Sequence, residues 1–463
     1  MLRALIVRCL LPLAAALLVV PASPLGALQG RQGTPTAPAP NPLFSDSRVI
    51  DVRLTFSQKD FDGLRPIRVS GGGGSESWLQ GAEGRRNGLS ASRGLEFPYV
   101  HADAVVDGTA LRDIGVRYKG NGTFMLGREV GKVSLKLDFN QFVKGQKLGL
   151  IKTLNLHSNV TDASYMNEVL AFRLFREAGV PAPRTSYARV YVTVTGRQPS
   201  TLYGVFSLVE NPDEPFVEAR GFPAEGAIFK PVTENPFRYL GSDWARYRQT
   251  YDPKTDVSAA QAQRIIDFSR IVTTGDDATF AREVGNYLEL DNVARYLAMT
   301  VWLSDLDGIL GSGQNYYLYL DPRTNRFSFM AWDQDHSFGQ FFSGNQRQRE
   351  ELSILRPYRG TNRFLTRLFA LPAFRTRYLE HITAYTQGPL RPDRLARQVD
   401  ALAAVLRPVI KQESGQRLAR FEDAVAGRRP DVDDGMFSEA NVPIKPFVQA
   451  RARSVEAQLS RVR

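Results

Sequence analysis

The sequence predicts an α+β protein in two parts, a strand-rich half with one helix followed by a helix-rich half. Three observations carry this. Short apolar runs alternate with polar residues before about residue 212, apolar residues recur at helical spacing beyond it, and one clear strand pair, Tyr316–Leu320 with Arg326–Ala331, interrupts the helical half. The 463 residues are 43 % hydrophobic and 23 % charged, which excludes a disordered or fibrous chain.

At the N-terminus, Arg3 and Arg8 accompany an apolar run, Cys9 to Val20, that is short for a membrane span. Small and helix-breaking residues follow from Pro21 to Ala27. Residues 1–27 therefore read as a secretory signal peptide, cleaved after Ala22 or Ala27. No later stretch reads as a membrane helix. The expected destination is outside the cytoplasm: periplasmic, envelope-associated or extracellular. Cleavage would remove Cys9, the only cysteine, and with it any disulfide, thiolate nucleophile, cysteine zinc site or iron–sulfur cluster. Residues 28–45, rich in Pro and Ala, read as a flexible linker, and 46–463 as the folded domain.

Within the domain, Val49 to Leu54 alternates like a strand. The four glycines between Ser70 and Ser75 read as a mobile loop, because no P-loop lysine follows them. Ala104 to Phe139 reads as short strands and tight turns. Asp162 or Ser164 caps a helix that runs to about Ala178 with Glu168 in its early turns, and Gly179, Pro181 and Pro183 end it. Ser186–Thr195 and Leu202–Glu210 read as strands. Leu288–Leu303 is a long apolar helix, and several amphipathic helices follow Phe364. Asp321 to Asn325 turn the late strand pair into a hairpin.

Polar residues crowd both ends of that hairpin: Asp305-Leu306-Asp307-Gly308 and Gln314-Asn315 before it, Trp332-Asp333-Gln334-Asp335-His336 after it. Carboxylates and an amide are hard oxygen ligands suited to Mg²⁺ or Mn²⁺, and a single nearby histidine argues against zinc. A metal held this way takes phosphates as further ligands. Phosphoryl transfer needs metal ligands, a carboxylate to receive a hydroxyl proton, and cations on the phosphates. Asn315 and Asp333 suit the first role and Asp307 the second, with Asp305 competing. The cations lie in the strand-rich half. Arg117 and Lys119 run into Gly120-Asn121-Gly122. Lys132, Ser134 and Lys136 share one face of an expected strand, and Glu168 follows on the helix.

The formal net charge is +11, about +9 once Arg3 and Arg8 leave. It invites a nucleic-acid reading, but no helix-turn-helix, zinc-finger, RRM or KH pattern appears, so no nucleic-acid partner is expected.

These motifs resemble, in order, those of the CotH-type spore-coat kinase family. Arg117-Tyr118-Lys119-Gly120-Asn121 is similar to its R-x-K-G-N element, Lys132 to Phe139 to its K-x-S-x-K-x-x-F strand, and Leu154 to Leu170 to its D-x-S-x-x-x-E segment. Leu202 to Glu210 resembles its G-x-Y-x-x-x-E strand, and Asn315 to Tyr319 and Trp332 to Asp335 its N-Y-x-x-Y and W-D-x-D signatures. The resemblance implies a bilobal atypical protein-kinase-like fold, with an N-lobe over about 46–212 and a C-lobe over about 213–463. It implies an ATP- and Mg²⁺- or Mn²⁺-dependent enzyme phosphorylating Ser or Thr of surface or secreted proteins. By it, Asp307 is the catalytic base, Asn315 and Asp333 are metal ligands, and Asp335 is a second metal contact. Lys119, Gly120 and Asn121 lie over the phosphates, Lys132 or Lys136 stands opposite Glu168, and Glu210 sits near the adenine. A silent surface-binding or adhesion protein and a nucleotidyl transferase are the alternatives on the same fold.

Overall fold

In the computed structural model, which describes residues 38–72, 76–429 and 441–462, the first alternating run becomes β1 (Val49–Phe56). Its Ile50, Val52, Leu54 and Phe56 point inward and are buried, as a period of two requires. The expected signal peptide, most of the linker and part of the glycine run lie outside the described residues.

β2 (Ile67–Arg68) and β3 (Leu95–Glu96) form a small separate pair. β4 (Val100–Val106), β5 (Thr109–Tyr118), β6 (Leu135–Asp138), β7 (Thr153–His157), β8 (Thr185–Val194) and β9 (Gln198–Glu210) join β1 in a closed barrel of order β1-β4-β5-β6-β7-β9-β8. Every neighbouring pair is antiparallel except the last. There β8 runs parallel to β1, with Val52 opposite Val190, and closes the ring. Closure leaves no unpaired strand edge.

Side chains such as Val52, Val106, Leu137, Leu154, Phe206 and Leu208 fill the barrel. On β9 the alternate residues Val205 and Val209 belong instead to the helical core. That strand is buried on both faces, which is why it reads as a near-continuous apolar run. The described residues therefore form one compact unit.

Two expectations need correction. The stretch from Ala104 to Phe139 is not only strands and turns, because a helix, Gly122–Glu129, separates β5 from β6 and buries Phe124 and Leu126. Gly120 leads into it at φ 106°, and a Cβ there would meet Thr123 Oγ1 at 2.6 Å. The following helix spans Asn167–Glu177, starting later than the caps suggest. Asp162 and Ser164 still serve its start: Asn167 N donates to Asp162 Oδ2 at 2.8 Å and Met166 N to Ser164 Oγ at 3.1 Å.

The apolar helix Leu290–Trp302 is the axis of the second half. The hairpin of β11 (Tyr316–Asp321) and β12 (Arg326–Ala331) gains a third strand, β10 (Ala227–Phe229), that the sequence reading did not place. The buried Arg451 of helix Ile444–Ser460 donates to the carbonyls of Val301 and Trp302 at 2.9 and 3.1 Å. A cation on the last carbonyls of a helix satisfies them and favours its dipole. It fixes the point from which Ser304 to Asp307 departs. Among the described residues, no helix is long and apolar enough to cross a membrane.

Candidate active site

Register builds the basic wall of the site. Arg117 on β5 lies opposite Lys136 on β6, and Lys136 opposite Asn155 on β7. Cross-strand partners share a face, so the three side chains form one row, and all three line a cleft. Lys119, Gly120 and Asn121 continue that wall. Arg86, Lys230 and Lys254 enter from other segments, with Tyr317 and Trp332 as aromatic lining and Asn211, Pro212 and Asp213 at the end of β9.

Crowding these cations out of water weakens their protonation. Burial lowers Lys136 to about 7, with Arg117 and Lys119 adding repulsion. It lowers Lys119 and Lys230 to about 8, although Asp333 pulls both back up.

The hairpin delivers the acids. Asn315, just before β11, and Asp333, just after β12, both adopt left-handed backbone, at φ 61° and 53°. Such conformations cost about 1–3 kcal/mol each and persist where surrounding structure imposes them, commonly at functional sites. Asn315 Nδ2 donates to Asp307 Oδ2 at 2.9 Å and Gln314 Nε2 to Asp307 Oδ1 at 3.2 Å. Burial raises the Asp307 carboxyl, and His336 and Gln314 only partly offset this. Burial also raises Asp335, to about 8, against the pull of His336. Asp333 differs. Burial would raise it too, but His157, Lys119, Lys230 and His336 outweigh this and hold it ionised.

Asp307, Asn315, Asp333 and Asp335 line a second cavity together with Asn121, Gln314 and His336. The two cavities meet at Asn121, Gln314 and Asp333, which line both. Asp305 lines neither. It is completely buried, is raised to about 7 chiefly by that burial, and accepts the Asp307 amide at 3.0 Å, so it shapes the turn and leaves Asp307 as the carboxylate facing the cavity.

The expected lysine–glutamate pair takes another form. Glu168 accepts from His157 Nδ1 at 2.7 Å, and Lys119 contacts the other ring nitrogen, Nε2. His157 thus stands between Glu168 and Lys119, and neither Lys132 nor Lys136 pairs with Glu168. Lys136 lines the basic cleft, but Lys132 lies outside it. The strand begins only at Leu135, so the alternation does not extend back to Lys132. Its ammonium is buried 2.8 Å from Glu413 of helix Pro392–Glu413. Glu210 is corrected as well: its carboxylate is held by Arg184 at 2.5 Å and Arg220 at 2.7 Å, and only the residues after it reach the cleft.

Sequence reading missed His157, Lys230 and Lys254. His157 ends β7 (Thr153–His157), within the Leu154–Leu170 segment, and was readable as a polar residue closing an apolar strand. Lys230 follows β10, a three-residue strand with no signal of its own.

His157, Glu168 and Asp333 also place one ligand atom each within 4.8 Å of one another. Both imidazole nitrogens of His157 are already engaged, by Glu168 and Lys119, so His157 is a poor ligand for an ion here. The oxygen donors Asp333, Asp335 and Asn315 fit a hard divalent ion better.

A basic cleft thus joins a carboxylate cavity at one shared aspartate, Asp333. Residues 116–455 match the family model described as CotH kinase protein, and the chain belongs to that family. It is similar to the inner spore coat protein H of Bacillus subtilis (strain 168), 25 % identical over 327 residues that cover 69 % of this chain and 83 % of that protein.

Proposed function

We propose that the protein is an exported, ATP- and divalent-metal-dependent kinase acting on Ser or Thr of a surface or secreted protein. The barrel portion (46–212) and the helical portion (213–463) serve as its two lobes. The observation that carries this reading is the junction of a polycationic cleft with a carboxylate cavity at Asp333.

Asp333, with Asn315 and Asp335, would hold Mg²⁺ or Mn²⁺, which neutralises charge on the phosphates. Lys119, Lys136 and Arg117 bind the phosphates, and His157 on Glu168 orients the Lys119 ammonium. Tyr317 and Trp332 supply aromatic surface at the cleft. Asp307, positioned by Asn315 and Gln314, accepts the proton of the acceptor hydroxyl. The hydroxyl oxygen then bonds to the γ-phosphorus as the bond from phosphorus to the bridging oxygen breaks, and ADP leaves.

Purified protein given γ-labelled ATP with Mg²⁺ or Mn²⁺ is expected to label itself or a Ser/Thr-rich protein. Asp333→Ala should reduce labelling about 10³-fold or more while the fold survives. Undiminished labelling by that variant overturns the site. Label transferred from α- rather than γ-labelled ATP identifies nucleotidyl transfer instead.

A further inference from the structure

The second cavity differs in its walls from the basic cleft. It encloses about 340 Å³. Asp307 lines it, as do Trp78, Leu89, Phe341 and Phe342. Trp78 is 57 % exposed and Phe342 42 % exposed, and they are the two aromatic side chains among the exposed large hydrophobics of the described residues. Phe342 packs against Phe341 in a tilted pair with ring centroids 4.6 Å apart. Exposed aromatic groups gathered in one concave place mark a binding surface, whereas scattered ones do not.

Whatever occupies this cavity must present its reacting hydroxyl to Asp307. The aromatic and aliphatic wall stands beside a polar one that includes Arg93, Thr123, Asp307, Asn315, Asp335 and His336. The apolar wall, with Trp78 and Phe342 exposed on it, suits an apolar side chain seated next to the reacting hydroxyl. An acidic neighbour of the hydroxyl would face Asp307, Asp333 and Asp335.

We infer that this cavity is the acceptor site and selects a polypeptide Ser or Thr flanked by a bulky apolar residue, seated against Trp78 and Phe342. The inference rests on the phosphoryl-transfer reading for the identity of the hydroxyl, but its test does not depend on turnover. Fluorescent peptides carrying one Ser in a Gly background, with Phe, Leu, Gly, Asp or Lys immediately before or after it, are titrated against the protein and followed by anisotropy. The Phe and Leu peptides of at least one series should bind about tenfold or more tighter than the Gly peptide. Trp78→Ala/Phe342→Ala should bring that ratio to within about threefold.

Equal binding of all peptides overturns the inference, as does a preference that the double variant retains. Displacement by a soluble oligosaccharide with no peptide preference overturns it in favour of a carbohydrate acceptor. Selective peptide binding without phosphate transfer supports the cavity assignment and counts against the kinase reading, so the two ideas fail separately.

Discussion

The two cavities that meet at Asp333 are electrostatic opposites. In the basic cleft, burial and mutual repulsion push Lys136, Lys119 and Lys230 down to between about 7 and 8. In the acidic cavity the same burial pushes Asp307 and Asp335 up. Each half gathers groups of like charge whose ionisation the protein alone disfavours. A polyphosphate would restore protonation in the first half and a divalent cation would restore ionisation in the second. Asp333 belongs to both and is held ionised by cations from the basic side. Under the proposed function, the contrast assigns nucleotide binding and acceptor chemistry to separable sets of residues.

The strongest way to break that division is Asp307→Asn. Phosphate transfer should fall by about 10²–10⁴-fold. Stabilisation by ATP with Mg²⁺ in a thermal-shift assay should remain. Loss of that stabilisation would show that the two halves are one site.

Next comes Lys132→Met. It leaves the buried Glu413 carboxylate with Arg417 as its remaining ion-pair partner, at 3.1 Å, and should cost about 3 kcal/mol of stability in denaturant unfolding. ATP affinity of the folded protein should be unchanged. A selective loss of nucleotide binding would return Lys132 to the cleft.

His157→Ala should weaken ATP binding by about tenfold, roughly the 1.4 kcal/mol of a charge-assisted hydrogen bond. The effect should be read in the KM for ATP more than in kcat, because the histidine positions Lys119 and does not touch the transferred group. A fall confined to kcat would assign it to the acceptor side.

The smallest effect tests the charge crowding itself. Folding lowers Lys136 to about 7, below its unfolded value of about 10.4. The unfolded chain therefore binds more protons between those limits, and this group's destabilisation is full below pH 7 and gone by about pH 10. Lys136→Met should raise the melting midpoint by roughly 1–3 °C near pH 7. The gain should shrink as pH approaches 10, followed by melts across that range, and a gain that grows with pH would contradict it.

Much of the acidic half was legible in the sequence because it is local. Asp307, Asn315 and Asp333 lie within one helix end and one hairpin, and a tight β11–β12 turn suffices to bring them together. Arg117 and Lys136 were legible as strand residues, and adjacent antiparallel strands place them side by side. Lys132 was misplaced because alternation was extended past the strand's true start at Leu135. Glu210 was read for its position in the chain, while Arg184 and Arg220 decide where its carboxylate points.

By itself, then, the sequence determined most of the inventory: the main strands and helices, and the acids Asp307, Asp333 and Asp335 with Lys119 and Lys136 as candidates for the site. Periodicity and short-range spacing are written in neighbouring residues. The tertiary structure alone decided that β8 closes the barrel onto β1, that His157 comes between Lys119 and Glu168, that Glu413 pairs with Lys132 outside the cleft, and that Trp78 and Phe342 line one cavity with Asp307. Each of these joins residues far apart in the chain, where the partner is chosen by packing and desolvation over the whole fold and leaves no local mark.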